Sequence, residues 1–216
     1  MKGTMAPSTP TGDHMAGAPG ALLVIISGPS GVGKDTIIDA LKRRPDHRAY
    51  HYVVTCTTRA PRPGEVDGVD YHFLTVDEFE ALRASGELLE ANFVHQNWYG
   101  TPRKQVRQAL VANHDVILKI DVQGAQAVKE STPEALLIFI VPPSLEDLFQ
   151  RLRARATETA EELEKRQSDA AVELARQGDY DHVVVNRTGE VERVAAEIDA
   201  IIGQWKARHP RRRTRI

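Results

Sequence analysis

The chain has 216 residues, with 28 Lys+Arg against 30 Asp+Glu and a formal net charge of −2. That length suits one α/β domain with small inserted lobes, and near-neutrality excludes a global basic field for recruiting nucleic acid. The single cysteine, Cys56, excludes an intrachain disulfide and fits a reducing compartment, while no apolar run approaches the ~20 residues of a membrane span or resembles a signal peptide. A cytoplasmic protein with no membrane association is expected.

Residues 1–20 are rich in Gly, Pro, Ser, Thr and Ala without periodicity, and read as a disordered extension or an expression remnant. Leu22 to Ile26 is then continuously apolar, which predicts a strand buried on both faces. Ser27-Gly28-Pro29-Ser30-Gly31-Val32-Gly33-Lys34 breaks the run, and helical spacing resumes from Thr36 to Leu41. Strand, glycine loop and helix form a phosphate cradle. Loop N–H groups converge on one concavity, the helix N-terminus adds positive potential, and Lys34 supplies a formal charge. Asp35 stands where this loop ordinarily has a Ser or Thr for magnesium. The bland alternative is a glycine-rich turn in an α/β protein.

Tyr50 to Cys56 reads as a strand running into Thr57-Thr58-Arg59, and Ala60-Pro61-Arg62-Pro63-Gly64-Glu65 as a loop. Tyr71-His72-Phe73 is strand-like, and Thr75-Val76-Asp77-Glu78 is a capping box opening a helix through Leu82. Leu88 to Val94 reads as a strand, Trp98-Tyr99-Gly100 as a turn, and Thr101-Pro102 as the start of a helix to about Ala112. Buried strands return at Val116–Ile120 and Leu136–Val141, with Asp121 after the first and Ser144 capping a helix after the second. A helix from about Thr159 to Gln177, a strand at Val183–Asn186 and a helix from Val191 to Lys206 complete the domain. The alternation predicts a parallel sheet wrapped on both faces, with residues of about 55–100 as a separate lobe. The basic end, Lys206 to Arg215, reads as a solvated tail, with an RNA or acidic-partner contact the alternative.

Three groups beside the loop carry chemistry. Arg59 and Arg62, followed by Tyr71, suit bidentate phosphate binding, or are surface arginines on a loop. Glu90 and Asp121 read as strand-end carboxylates. They suit the N1–H and N2–H2 donors of guanine, with Asp121 as a mere N-cap the alternative. Arg151, Arg155 and Arg166 suit a lid over a transferring phosphoryl group, or a salt-bridged solvent face.

Taken together these segments resemble guanylate kinase. The resemblance rests on the glycine loop, Thr57–Glu65, Asp70-Tyr71, Tyr99-Gly100-Thr101 and Ile120-Asp121-Val122-Gln123-Gly124. Pro142-Pro143-Ser144, Arg151–Glu158 and Val185-Asn186 extend it, so that it runs in order from about Leu22 to Ala207. It implies a P-loop NTPase-type core, a GMP-binding lobe and a helical lid (about 151–166) within residues 21–207, and transfer of the γ-phosphoryl of ATP to GMP. Carried over, Gly28, Pro29, Ser30, Gly31, Val32, Gly33, Lys34, Asp35 and Thr36 would bind ATP, with Asn186 near adenine. Arg59, Arg62, Tyr71 and Tyr99 would hold the GMP phosphate, and Thr55, Glu90, Thr101 and Asp121 would read guanine. Lys34, Arg59, Arg151, Arg155 and Arg166 would be catalytic. Magnesium (Mg2+) would arrive with ATP and meet Thr36, or Asp35 through water. The implied partners are ATP, GMP and dGMP, with no nucleic acid required, in a monomer or homo-oligomer.

The chain departs from the family at Asp35, at Thr55 (usually Ser), at Lys119 (often acidic) and at Ala156, where the lid has a glycine. Two other readings are weighed. A ribose bisphosphate phosphokinase has an acceptor without guanine, against which Glu90 and Asp121 argue. A phosphopeptide-binding scaffold domain tends to have a degraded phosphate loop, whereas the loop here is intact.

Overall fold

The computed structural model describes residues 20–44, 50–94, 96–154, 160–210 and 214–216. The apolar run forms β1 (Leu23–Ser27), fully buried, and α1 (Lys34–Arg43) follows the loop. Five parallel strands make the main sheet, in the order β2 (His51–Tyr52), β7 (Val116–Lys119), β1, β8 (Leu136–Val141), β9 (His182–Val185).

Burial on both faces explains why β1 lacks polar alternation. Val24 and Ile26 pack with Ile37 and Leu41 of α1 and with Val194 and Ile198 of α7 (Val191–Arg208). Leu23 and Ile25 point the other way, toward Val106 of α3 (Arg103–Val111) and Ala125 and Val128 of α4 (Val122–Ser131). Helices on both faces leave the carboxyl ends of the strands as the open edge, where sites in such sheets are built.

A second, four-stranded sheet has the order β4 (His72–Phe73), β3 (Cys56–Thr57), β6 (Asn97–Pro102), β5 (Leu88–Val94). Its own small core is Cys56, Phe79 and Leu88, with Phe79 of α2 (Val76–Ala84) stacked on Trp98 at 5.7 Å. The expected capping box is present: Thr75 accepts from Glu78 N–H while Glu78 accepts from Thr75 N–H. On the far side, α5 (Leu145–Arg153) and α6 (Ala160–Ala175) follow β8, and Ser144 caps α5.

The structure corrects three local expectations. Tyr50–Cys56 is two strands in two sheets, because the chain leaves β7 after Tyr52 and joins β6 at Cys56. Trp98-Tyr99-Gly100 is strand, since β6 pairs antiparallel with both β5 and β3 and satisfies its backbone on both edges. Pro102 is the N-cap of α3, with extended backbone, and lies outside the helix. The last residues described, 214–216, lie against the body. Thr214 is buried and accepts a hydrogen bond from Leu23 N–H at 3.1 Å, completing the bonding at the start of β1. Among the described residues, no helix is long and apolar enough to cross a membrane.

Candidate active site

The glycine loop rises from the carboxyl end of β1, and its three glycines have positive φ of 145° (Gly28), 83° (Gly31) and 98° (Gly33). A Cβ on Gly28 would lie 2.3 Å from the Ile140 carbonyl oxygen of β8, and one on Gly33 would lie 2.7 Å from Asn186 Nδ2. Both the left-handed backbone and the close approach therefore demand glycine. Lys34 bends back along the loop, its Nζ donating to Gly28 O (2.6 Å) and Pro29 O (3.1 Å). Burial holds the Lys34 pKa below its ordinary value, with Glu173 and Asp35 opposing that shift.

Asn186, after β9, donates from Nδ2 to Val32 O at 2.8 Å and braces the loop from behind. Arg151 does the same from α5. It donates to Val32 O (3.2 Å), Asn186 O (2.9 Å) and Thr188 Oγ1 (3.2 Å), so its guanidinium is engaged on the rear of the loop.

Across the cleft, the second sheet presents a cationic and phenolic cluster. The Arg59 guanidinium carbon lies 5.5 Å from the Tyr71 ring centre, and Tyr71 meets Tyr99 edge-on at 6.1 Å. Glu65 fixes this loop, taking Arg59 Nη2 at 2.9 Å on one carboxylate oxygen and Arg62 N–H at 2.7 Å on the other. Arg62 lines the same cleft.

Glu90 is the third residue of β5, buried in its interior and not at the strand end the sequence suggested. Thr101 Oγ1 donates to its Oε1 (2.5 Å) and Asn92 Nδ2 to its Oε2 (2.6 Å). Burial pushes its pKa up to about 7. The Asp121 charge adds to the rise, and the Thr101 and Asn92 bonds pull against it. Asp121 is indeed the N-cap of α4, accepting from Gln123 N–H (2.7 Å) and Gly124 N–H (3.0 Å) through Oδ1. It lines the cleft as well, so cap and cleft residue are one side chain with two oxygens. Gly124 lets α4 press against Glu90: a Cβ there would lie 3.0 Å from Oε2.

The two departures on the cleft floor meet each other. Lys119 Nζ donates to Asp35 Oδ1, joining the end of β7 to the first turn of α1. Burial would lower the Lys119 pKa, but Tyr71 and Asp35 more than offset it, leaving the ammonium above its ordinary value.

One continuous cleft thus brings together Gly28, Ser30, Gly31, Gly33, Lys34 and Asp35 with Thr55, Arg59, Arg62, Tyr71, Glu90, Tyr99, Asp121 and Arg166. Thr101 sits behind Glu90. Pro29 and Val32 shape the loop, Thr36 is exposed on α1, and Arg155 lies outside the described residues. Sequence reasoning missed Lys119, Asn97 and Glu173 in this lining, and Asn92 beside Glu90. Glu173 accepts from Ser30 N–H at 3.1 Å, so a carboxylate rests on one donor of the cradle. A signal was present, since Arg166, Asp169 and Glu173 recur at helical spacing on α6.

Among the described residues, no group of three or more His, Cys, Asp or Glu could hold a metal alone.

The family model for guanylate kinase matches residues 21–204. A guanylate kinase of Gloeobacter violaceus is 47% identical over 186 residues, 86% of this chain and 87% of the relative. One from Mycobacterium bovis is 45% identical, covering 86% and 89%. The crystal structure of guanylate kinase from Anaplasma phagocytophilum superposes with a TM-score of 0.71 at 31% identity, covering 91% of this chain and 90% of that one.

Proposed function

This chain belongs to the guanylate kinase family, and we propose that its cleft is the seat of phosphoryl transfer from ATP to GMP, with the glycine loop holding ATP and the second sheet holding GMP. The protein is a kinase that converts ATP and GMP to ADP and GDP. The observation that carries the site reading is the single cleft. A phosphate cradle, a second arginine–tyrosine phosphate pocket and a carboxylate base pocket all open into it.

Each part has a role its chemistry suits. The loop N–H groups and Lys34 take the β- and γ-phosphates of ATP, Lys34 exchanging its two carbonyl partners for phosphate oxygens. Arg59, Arg62, Tyr71 and Tyr99 hold the GMP phosphate, with Glu65 presetting the Arg59 guanidinium and the Arg62 backbone. Glu90 and the second oxygen of Asp121 accept from N1–H and N2–H2 of guanine, while Thr55 and Thr101 complete the base pocket. Adenine would set an unprotonated N1 against the ionised carboxylates and is disfavoured. Because no contact in this scheme involves the ribose 2′-hydroxyl, dGMP is accepted as well.

A GMP phosphate with a second pKa near ~6 is mostly dianionic at pH 7, so no strong general base is needed. What accelerates the reaction is charge neutralisation and in-line placement of the two phosphates. Magnesium bound with ATP would neutralise β/γ charge; Asp35, which lines the cleft, would meet it through water, whereas Thr36, the other residue expected to hold it, is exposed on α1. The arginines of α5 and α6 serve the transfer from the lid side: Arg166 lines the cleft at the transferring group, and Arg151 with Asn186 keeps the loop and the adenine side in place, while Arg155, assigned to the same task by the resemblance, lies outside the described residues. Closure excludes water as a competing acceptor.

A coupled ADP-release assay with ATP, magnesium and a panel of GMP, AMP, CMP and UMP tests this reading. Turnover confined to GMP is expected. Comparable turnover of AMP would remove the base pocket, and tight GMP binding without turnover would make the domain a binding module.

A further inference from the structure

We propose that Lys119 is a further ligand of the acceptor phosphate in this enzyme, and that Asp35 is the positioning residue that aims it. The proposal rests on the reading that Arg59, Arg62, Tyr71 and Tyr99 hold that phosphate.

The two residues bond to each other across the cleft floor. Lys119 ends β7 in register with Ile26 of β1, directly beneath the glycine loop. Its side chain is only 23% exposed, whereas that of Asp35 is 69% exposed. The ammonium is therefore the inner member of the pair and the carboxylate the outer one. An ion pair with so exposed a partner contributes little to stability, which leaves orientation as its consequence.

The direction of that orientation is visible at Tyr71. Lys119 Nζ lies 5.2 Å from the Tyr71 ring centre and the Arg59 guanidinium carbon lies 5.5 Å from the same point. Two cations thus flank one phenol, both lining the cleft that Arg62 also faces. An ammonium has three donors and no acceptor. The Asp35 carboxylate takes one, and a dianionic phosphate monoester placed between Lys119 and the two arginines would take the others. Asp35 in the first turn of α1 supplies the anion that keeps the ammonium extended into the cleft.

The test compares GMP with guanosine, which lacks the phosphate, by calorimetric titration without ATP or metal. Lys119→Met is expected to weaken GMP binding about 10- to 100-fold, the range for losing one hydrogen bond to a charged group, and to leave guanosine binding unchanged. Lys119→Arg should restore part of the loss. Asp35→Ala should lower the GMP-to-guanosine affinity ratio severalfold, because the ammonium stays but is no longer held. Equal weakening of GMP and guanosine, or an unchanged ratio, in Lys119→Met would overturn the proposal. So would a loss confined to ATP in a parallel titration. Arg62→Met separates the two levels. If it leaves the ratio unchanged, the phosphate pocket itself is wrong and the proposal falls with it; if it lowers the ratio while Lys119→Met does not, the proposal alone is wrong.

Discussion

Glu90 offers the sharpest link between a buried group and recognition of the base. Burial in β5 raises its pKa to about 7, so close to half the free protein is protonated there at neutral pH. Guanine presents donors, and only the ionised carboxylate can accept from N1–H and N2–H2 together. The affinity for guanosine should therefore fall about tenfold between pH 8 and pH 6, since only about one molecule in ten carries the charge at pH 6. Guanosine is the right probe because the GMP phosphate titrates near ~6 itself. Binding at pH 7 should also release about half a proton, read by calorimetry in buffers of different ionisation enthalpy. Glu90→Gln should bind 10- to 100-fold more weakly at pH 8 and show no pH dependence. The stability sign is opposite to that of an ordinary surface carboxylate. The folded form retains a proton that the unfolded chain loses between about pH 4.5 and 7. The contribution is thus fully present below about 4.5, is lost as pH rises, and levels off at a cost of about 3 kcal/mol above 7. Guanosine affinity that is flat from pH 5.5 to 8 in the unaltered protein would refute the reasoning.

Three further outcomes follow from the same geometry. Gly28→Ala would place a Cβ 2.3 Å from the Ile140 carbonyl at a positive φ; it should destabilise the fold by about 2 kcal/mol or more in urea unfolding and abolish turnover. Glu173→Gln should tighten ATP binding about 3- to 10-fold in titration, because a neutral amide beside Ser30 N–H accepts more weakly than the carboxylate and no longer opposes the phosphate charge. Asp35→Ser should shift the magnesium concentration for half-maximal rate, and an unchanged magnesium dependence would remove Asp35 from any metal role.

The parts that sequence made legible are those fixed by local rules. The glycine loop follows from an apolar run, glycine spacing and one lysine, and the structure adds only why each glycine is obligatory, as with the Ile140 carbonyl behind Gly28. The capping box at Thr75 and the Pro142-Pro143 stop after β8 are equally local. Parts that depend on tertiary pairing were not legible. Trp98-Tyr99-Gly100 carries turn residues, yet two neighbouring strands claim its backbone, and pairing outweighs propensity. Asp121 satisfies both of its readings at once, capping α4 and lining the cleft, which composition alone does not reveal. The Lys119–Asp35 bond joins residues 84 positions apart. Each looked like an isolated departure, and only the fold shows them as one pair. Asn92 and Glu173 were missed for the same reason, since their importance lies in what they touch: Glu90 and Ser30.

The most direct test of the account is a crystal structure with GMP and an unreactive ATP analogue bound. The account predicts guanine N1 and N2 within about 3.2 Å of the Glu90 and Asp121 carboxylates, and the acceptor phosphate among Arg59, Arg62, Tyr71 and Tyr99. It also predicts the analogue's β- and γ-phosphates on the loop N–H groups and Lys34. A guanine edge facing solvent, or a GMP phosphate seated on the glycine loop, would contradict it.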